Sequence, residues 1–162
     1  PQIVQAILPE AIRSGKLTCV DSHGDLFRFQ GATVATPNQP EAEATLHRSF
    51  HDLDELEAGG FELVRGMQAK AVLVTRGNEG MSLFEADGGK HHLPVSNVEE
   101  VRDVSGAGDT VAATFVLGLL AGASMLEAAQ LGNIAAGLVV RKVGTATTTP
   151  DELARAIDRL AI

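Results

Sequence analysis

The sequence predicts an α/β fold around a mostly parallel sheet, expected as a single domain over residues 1–162. Helical and extended patterns alternate along the chain, which is the order found in parallel α/β domains. Residues 71–75 (AVLVT) are an apolar, β-branched run, typical of a strand that is buried on both faces. The last third holds three helical patterns with clear capping signals.

Apolar periodicity and the turn residues between segments predict the individual elements. Strands are predicted at residues 17–20, 32–35 and 71–75, and a hairpin at 81–85 and 90–95 around a DGG turn. Helices are predicted at residues 3–14, 41–51, 53–67 with an interruption at Gly59-Gly60, 106–120, 125–142 and from Pro150 onward. The last two helices begin with capping boxes, Ser124 with Glu127 and Thr149 with Glu152.

Composition narrows the possible functions. Lysine and arginine number 13 against 21 aspartates and glutamates, and the net charge of -8 disfavours nucleic-acid and anionic-membrane partners. Cys19 is the only cysteine, which excludes disulfides and thiolate zinc sites and is typical of a cytoplasmic protein. No segment of the sequence has the length and apolarity of a membrane span. An anionic ligand must therefore be held by local geometry.

The most informative segment is DVSGAGDT at residues 103–110, at the start of an apolar helix. The first turn of a helix has unpaired backbone N–H groups and a partial positive charge, and small residues let a phosphate oxygen approach them. Gly106, Ala107 and Gly108 therefore predict an anion site, and Asp109 is placed to take a proton from an attacking hydroxyl. The glycines are also compatible with a structural turn, and Asp109 with a first-turn carboxylate favoured by the helix dipole.

This segment resembles the second signature of the ribokinase-like (PfkB) carbohydrate kinases. Two further motifs similar to those of that family precede it in the chain, in the order in which the family has them. NQPE at residues 38–41 is similar to the family's Asn-x-x-Glu element, and VLVTRGNEG at residues 72–80 is similar to its nucleotide-flanking strand and turn. The resemblance implies a Rossmann-like layered, ribokinase-like fold. It also implies transfer of the γ-phosphoryl of ATP to a sugar or sugar-phosphate hydroxyl, with Asp109 as general base. Among subgroups, the chain is most similar to the heptose-7-phosphate kinases.

The resemblance also assigns nucleotide and metal residues. It implies that Asn38 and Glu41 orient Mg²⁺ and the phosphates of ATP, with Glu41 acting through metal-bound water. The residues implied to contact the nucleotide after the third strand are Thr75, Arg76, Gly77 and Gly80. From the residues alone, Asn38 and Glu41 are also typical of a helix start. Residues 75–80 are equally typical of a turn, with Arg76 as a surface cation.

Two polar residues in the last third receive roles from the same resemblance. Asn133 lies in an alanine-rich helix, where the family places an adenine contact, and a buried hydrogen bond to a neighbouring loop is the alternative. Asp103 matches a position that holds a monovalent cation, K⁺ in part of the family, together with carbonyl groups of the loop at residues 143–148. Its alternative role is to cap the turn.

Two histidine-containing clusters are interpreted as surface features. DSHGD at residues 21–25 is typical of a solvated loop. The family often has a proline and then a basic or amide residue where this chain has Ser22 and His23, so the resemblance does not identify the substrate. His91 and His92 belong to the predicted hairpin and are expected to point to opposite faces. The motifs of P-loop enzymes, dinucleotide-binding folds and serine hydrolases do not occur in the sequence.

The resemblance covers the chain from about residue 16 onward and implies that the chain is only the nucleotide-binding and catalytic half of a longer kinase. We expect the complete enzyme to be a cytoplasmic homodimer and this chain alone to be inactive on sugars. The alternative interpretation is a catalytically silent nucleotide-binding module or subunit that a partner chain completes. The two interpretations differ in whether the completed protein phosphorylates a sugar.

Overall fold

The computed structural model describes residues 2–21, 23–96 and 101–160. Within these ranges the chain divides into two compact units. The first contains the residues up to Gly77 together with Ser82–His92, and the second contains Asn78–Met81 together with the described residues from Leu93 onward. The single domain expected from the sequence therefore stays a prediction.

The first unit contains a five-stranded sheet in the order β1-β2-β3-β4-β5, except for the first residue of β4 and the last residue of β5, which fall in the second unit. Its strands are β1 (Cys19–Val20), β2 (Val34–Ala35), β3 (Ala71–Thr75), β4 (Met81–Glu85) and β5 (Lys90–Leu93). The pairs β1–β2 and β2–β3 are parallel, with Cys19 opposite Val34 and Val34 opposite Ala71. The connections that follow β3 and β4 are too short for a parallel crossover, so the sheet is mixed and parallel over its first three strands.

Three helices, α1 (Gln2–Arg13), α2 (Gln39–Leu46) and α3 (Leu53–Met67), belong to the first unit. The predicted first helix is confirmed, and Gly15 just beyond it has a φ of +63°. The prediction that the second helix extends over residues 41–51 is wrong at its end. There His47 adopts the left-handed conformation at φ 53°, and its N–H donates to the Ala44 carbonyl, which terminates α2.

The predicted interruption of α3 at Gly59 and Gly60 is also wrong, because both glycines are buried within a continuous helix. A Cβ atom on Gly60 would lie 2.2 Å from the ring of Phe84, and one on Gly59 would lie 2.4 Å from the ring of Phe50. The glycines therefore let two aromatic rings pack directly on the helix backbone. This packing outweighs the low helix propensity of glycine.

We expect Gly60→Ala to destabilise the protein by about 1–3 kcal/mol, because the buried Phe84 ring must leave its position to admit a methyl group. The change in unfolding free energy is measured by urea denaturation. Gly108→Ala is the matched control, since Gly108 is also helical and a Cβ there has no heavy atom within 4 Å. Equal stability of the two variants would contradict the packing role of Gly60.

The second unit contains α4 (Ala107–Leu120), α5 (Met125–Val139) and α6 (Pro150–Leu160). Small residues allow α4 and α5 to approach closely: a Cβ on Gly118 would lie 3.1 Å from the Cβ of Ala128, and one on Gly132 would lie 3.3 Å from the Val111 carbonyl oxygen. This contact fixes the start of α4 against a second helix. None of the helices in the described part of the chain is long and apolar enough to cross a membrane.

Both predicted capping boxes are confirmed. Ser124 and Glu127 exchange side-chain and backbone hydrogen bonds at the start of α5, and Thr149 and Glu152 do so at the start of α6. The prediction that α5 extends to Lys142 is wrong by three residues, since α5 ends at Val139. Lys142 instead lies 2.9 Å from the Glu152 carboxylate, and this hydrogen bond, followed by the Thr149 N–H, lowers the pKa of Glu152 to about 2.

Candidate active site

The start of α4 leaves backbone donors exposed. Gly106 is the N-cap residue at φ +79°, and it supplies no capping side chain. The Ala107 N–H donates to the Val104 carbonyl at 3.1 Å, and the Thr110 N–H donates to the Gly106 carbonyl at 3.0 Å. No backbone or side-chain group in the described ranges accepts a hydrogen bond from the N–H of Gly108 or Asp109. Two donors at a positive helix end are thus available to an anion.

The two glycines of this turn have different structural roles. Gly106 needs its positive φ, which other residues rarely adopt, while a Cβ there would only touch the Thr145 side chain at 3.5 Å. Gly108 has ordinary helical geometry, is exposed, and would carry a Cβ into open space. Packing therefore does not explain glycine at position 108. Glycine at this position is compatible with the predicted close approach of an anion to the helix backbone.

Asp109 is exposed at the third position of α4. No group among the described residues forms a hydrogen bond or an ion pair with its carboxylate. An unpaired carboxylate beside the predicted anion site is compatible with both sequence interpretations, the general base and the dipole-favoured first-turn residue.

Asp103 joins the start of α4 to the loop after α5. Its carboxylate accepts the Ser105 N–H at 2.9 Å and the Gly144 N–H at 3.0 Å. These bonds, with the Ser105 backbone contribution largest, lower the pKa of Asp103 below its usual value. The turn-capping role is thus present, and the carboxylate also reaches the loop that the cation interpretation requires. The structure shows no group of three or more metal-ligating side chains within the described residues.

The first unit places Asn38 and Glu41 at the start of α2 in a complete capping box. The Asn38 side chain accepts the Glu41 N–H at 2.9 Å, and Oε2 of Glu41 accepts the Asn38 N–H at 2.8 Å. Oε1 of Glu41 lies 2.5 Å from Nδ1 of His23, a contact that the sequence did not predict. A carboxylate offers about four lone-pair sites, so capacity remains to accept hydrogen bonds from water. Glu41 is therefore compatible with the water-mediated Mg²⁺ ligand that the resemblance implies.

The end of β3 lies next to this helix start. The Thr75 N–H donates to the Pro37 carbonyl at 2.9 Å, and Thr75 forms an isolated parallel bridge with Asn38. Nε of Arg76 lies 3.5 Å from Oε1 of Gln39, which also belongs to the first turn of α2. Arg76 is thus held near the helix start and is not a fully solvated cation. Gly77 follows at φ +56°, with open space around a Cβ position.

The other two predicted nucleotide residues lie in the second unit. Gly80 has a φ of +85°, and a Cβ there would lie 2.0 Å from the Leu93 carbonyl oxygen, so glycine is structurally required. Nδ2 of Asn133 donates to the Pro94 carbonyl at 2.7 Å, while the Ser96 hydroxyl donates to the Asn133 carbonyl at 2.9 Å. Asn133 therefore does bond to a neighbouring loop, although this hydrogen bond is exposed and not buried as the alternative supposed, and the adenine contact stays a prediction.

The structure thus forms two groups of predicted site residues. In the first unit it brings together Asn38, Glu41, Thr75, Arg76 and Gly77, and in the second unit Asp103 with the turn Gly106, Ala107, Gly108 and Asp109. Asn38 and Glu41 also border a cavity of about 380 Å³ in the first unit, which His23 and His47 line as well. No spacing pattern could have indicated the role of His23, because it is 18 residues from Glu41.

Helix N-termini with free backbone donors are common anion-binding features of α/β proteins. Residues 21–152 match the sequence family described as pfkB family carbohydrate kinase, and the chain belongs to this family. The chain is 41% identical over 158 residues to the bifunctional protein HldE of Pelobacter propionicus, a match that covers 97% of the chain and 32% of that protein. The chain thus spans about a third of the length of that relative.

Solved structures share the fold. Arabidopsis thaliana ribokinase, complexed with ribose and ATP, superposes with a TM-score of 0.87 at 20% identity over 96% of this chain and 52% of that chain. Escherichia coli phosphofructokinase-2 in complex with potassium gives a TM-score of 0.86 at 23% identity over 98% of this chain and 52% of that one. The ribokinase-like α/β fold is confirmed, and the chain spans about half of each of these structures.

Proposed function

We propose that the chain is the nucleotide-binding and catalytic part of a kinase that transfers the γ-phosphoryl of ATP to a hydroxyl of a sugar or sugar phosphate. One observation carries the proposal: the exposed first turn of α4, where the N–H groups of Gly108 and Asp109 have no acceptor among the described residues. Family membership over residues 21–152 supports the same reaction class.

In this proposal the first turn of α4 stabilises negative charge and Asp109 accepts a proton. The N–H groups of Gly108 and Asp109 donate to a phosphate oxygen and stabilise the negative charge of the transferred group. The Asp109 carboxylate accepts the proton of the sugar hydroxyl as its oxygen bonds to the γ-phosphorus. The bond from the γ-phosphorus to the bridging oxygen breaks, and ADP leaves.

The remaining predicted residues hold the nucleotide and its cations. Glu41, oriented by its capping box with Asn38, would hold Mg²⁺ through water, and the bound ion would supply positive charge to neutralise the phosphates. Asp103 and carbonyl groups of the loop at residues 143–148 are the proposed K⁺ ligands. The proposed nucleotide contacts are Thr75, Arg76, Gly77, Gly80 and Asn133.

The proposed acceptor is a heptose phosphate, supported by the resemblance to heptose-7-phosphate kinases and by the 41% identity to HldE. Because the chain spans only about a third of that relative, we assign most sugar contacts to sequence outside the chain. We further propose that the complete enzyme is a cytoplasmic homodimer.

We expect the 162-residue chain to bind ATP in a Mg²⁺-dependent manner but to phosphorylate sugar negligibly by itself. The phosphate and metal residues lie within the chain, whereas positioning of the attacking hydroxyl, a large part of phosphoryl-transfer catalysis, needs further sequence. Isothermal titration calorimetry with and without Mg²⁺ measures the first expectation, and a coupled ADP assay measures the second.

The outcomes of this experiment separate the two interpretations of the chain. Restoration of sugar phosphorylation by a second polypeptide that carries the rest of a ribokinase-like domain would support the kinase. ATP binding without restoration would favour the catalytically silent module. Failure to bind ATP at millimolar concentration would contradict both interpretations.

A further inference from the structure

The contact between His23 and Glu41 is not explained by the capping box of α2. The box already satisfies the backbone through Oε2 of Glu41, yet Oε1 has a separate partner, Nδ1 of His23 at 2.5 Å. A carboxylate only accepts hydrogen bonds, so the proton of this bond lies on Nδ1 of the imidazole. The contact therefore fixes both oxygens of the same carboxylate.

The two side chains differ sharply in burial. The Glu41 side chain is 11% exposed, whereas that of His23 is 96% exposed. The imidazole therefore buries little surface and contributes little to core packing. Its described contact is with a carboxylate whose other oxygen already accepts the Asn38 N–H. Both residues border the cavity of about 380 Å³, where Asn38 also lies. An exposed ring that holds a nearly buried carboxylate at a cavity wall fits a role in orientation better than one in folding.

We propose that His23 is a positioning residue for Mg²⁺-ATP, acting through Glu41. The inference rests on the proposed function, in which Glu41 holds the ion through water. The Nδ1–H group holds Oε1 of Glu41 so that both carboxylate oxygens keep one orientation while their remaining lone pairs accept from metal-bound water. Side chains that hydrogen-bond to a metal-binding carboxylate set its orientation, and their removal lowers metal affinity.

Side-chain geometry provides a test of this role. The amide nitrogen of asparagine occupies the position of Nδ1 of histidine, whereas the longer glutamine places its amide near the position of Nε2. His23→Asn therefore keeps the donor that faces Glu41, and His23→Gln moves it away. His23→Ala removes the donor altogether. Because the His23 ring is 96% exposed, all three variants are expected to fold as the wild type does.

The experiment measures ATP binding to the 162-residue chain by calorimetry at a series of Mg²⁺ concentrations, with the half-saturating Mg²⁺ concentration as the readout. We expect roughly a three- to tenfold increase for His23→Ala and His23→Gln, the scale of one ordinary hydrogen bond lost at an exposed side chain, and a value near wild type for His23→Asn. ATP binding without Mg²⁺ is expected to be equal in all of them. His51→Ala, at an exposed histidine outside the cavity, is the control and is expected to match wild type.

Two results would overturn the inference. Rescue by glutamine but not by asparagine would show that His23 acts through Nε2 on the ligand itself. Equal values for all three His23 variants, whether like wild type or weakened, would show that a donor at the Nδ1 position is not what matters. If wild-type ATP binding does not depend on Mg²⁺, the proposed function fails first, so the two failures are distinguishable.

Discussion

Asp109→Asn is expected to lower kcat for sugar phosphorylation by about 10²-fold or more while leaving ATP affinity nearly unchanged. The amide keeps the size of the side chain but cannot accept the proton of the attacking hydroxyl. Because no described residue pairs with the Asp109 carboxylate, its loss leaves no partner unsatisfied. The rates are measured by steady-state kinetics in any form of the protein that phosphorylates a sugar, and affinity is measured by calorimetry on the chain.

Asp54→Asn is the matched control for this prediction. Asp54 is likewise an exposed aspartate in the first turn of a helix, α3, so its replacement reports the effect of losing a carboxylate near a helix dipole. We expect Asp54→Asn to leave kcat unchanged. A kcat for Asp109→Asn within a few-fold of wild type would remove Asp109 from the mechanism and leave only its first-turn role.

Gly108→Val is expected to weaken Mg²⁺-ATP binding to the chain by roughly 10- to 100-fold, the scale of one or two lost hydrogen bonds to a charged phosphate. The branched side chain would occupy the space next to the N–H groups of Gly108 and Asp109 that a phosphate oxygen needs. The Cβ of this side chain would lie in open space, with no heavy atom of a neighbouring segment within 4 Å. Calorimetry measures the affinity, and thermal unfolding without ligand is expected to remain close to wild type.

Ala113→Val controls for the presence of valine in α4, because Ala113 is exposed on the same helix but outside its first turn. Its ATP affinity is expected to equal that of wild type. Normal ATP binding by Gly108→Val would mean that the turn is only structural. A large loss of stability in Gly108→Val would contradict the open space found at this position.

The sequence predicted those features that depend on neighbouring residues. The capping boxes at Ser124 and Thr149 follow from local hydrogen bonds, and both are present. The helix start after Gly106 follows from glycine turn chemistry and an apolar run, and the order of strands and helices follows from alternating periodicity. The ribokinase-like fold followed from three ordered motifs.

Long-range contacts account for what could not be predicted. The glycines of α3 were expected to break the helix, because only the folded chain places the Phe50 and Phe84 rings on them. The end of α2 depends on the backbone conformation of His47, which no sequence pattern specifies. His23 lies in the turn after β1 and Glu41 in the first turn of α2. The distance between them along the sequence therefore could not reveal their contact.

The most direct test of the central claim, that the first turn of α4 binds the phosphates of ATP, is an NMR titration of the ¹⁵N-labelled chain with Mg²⁺-ATP. We expect the amide resonances of Gly108 and Asp109 to shift as ATP saturates the chain, because their N–H groups gain a phosphate acceptor. Saturation of the chain with ATP while both resonances stay unchanged would contradict the claim.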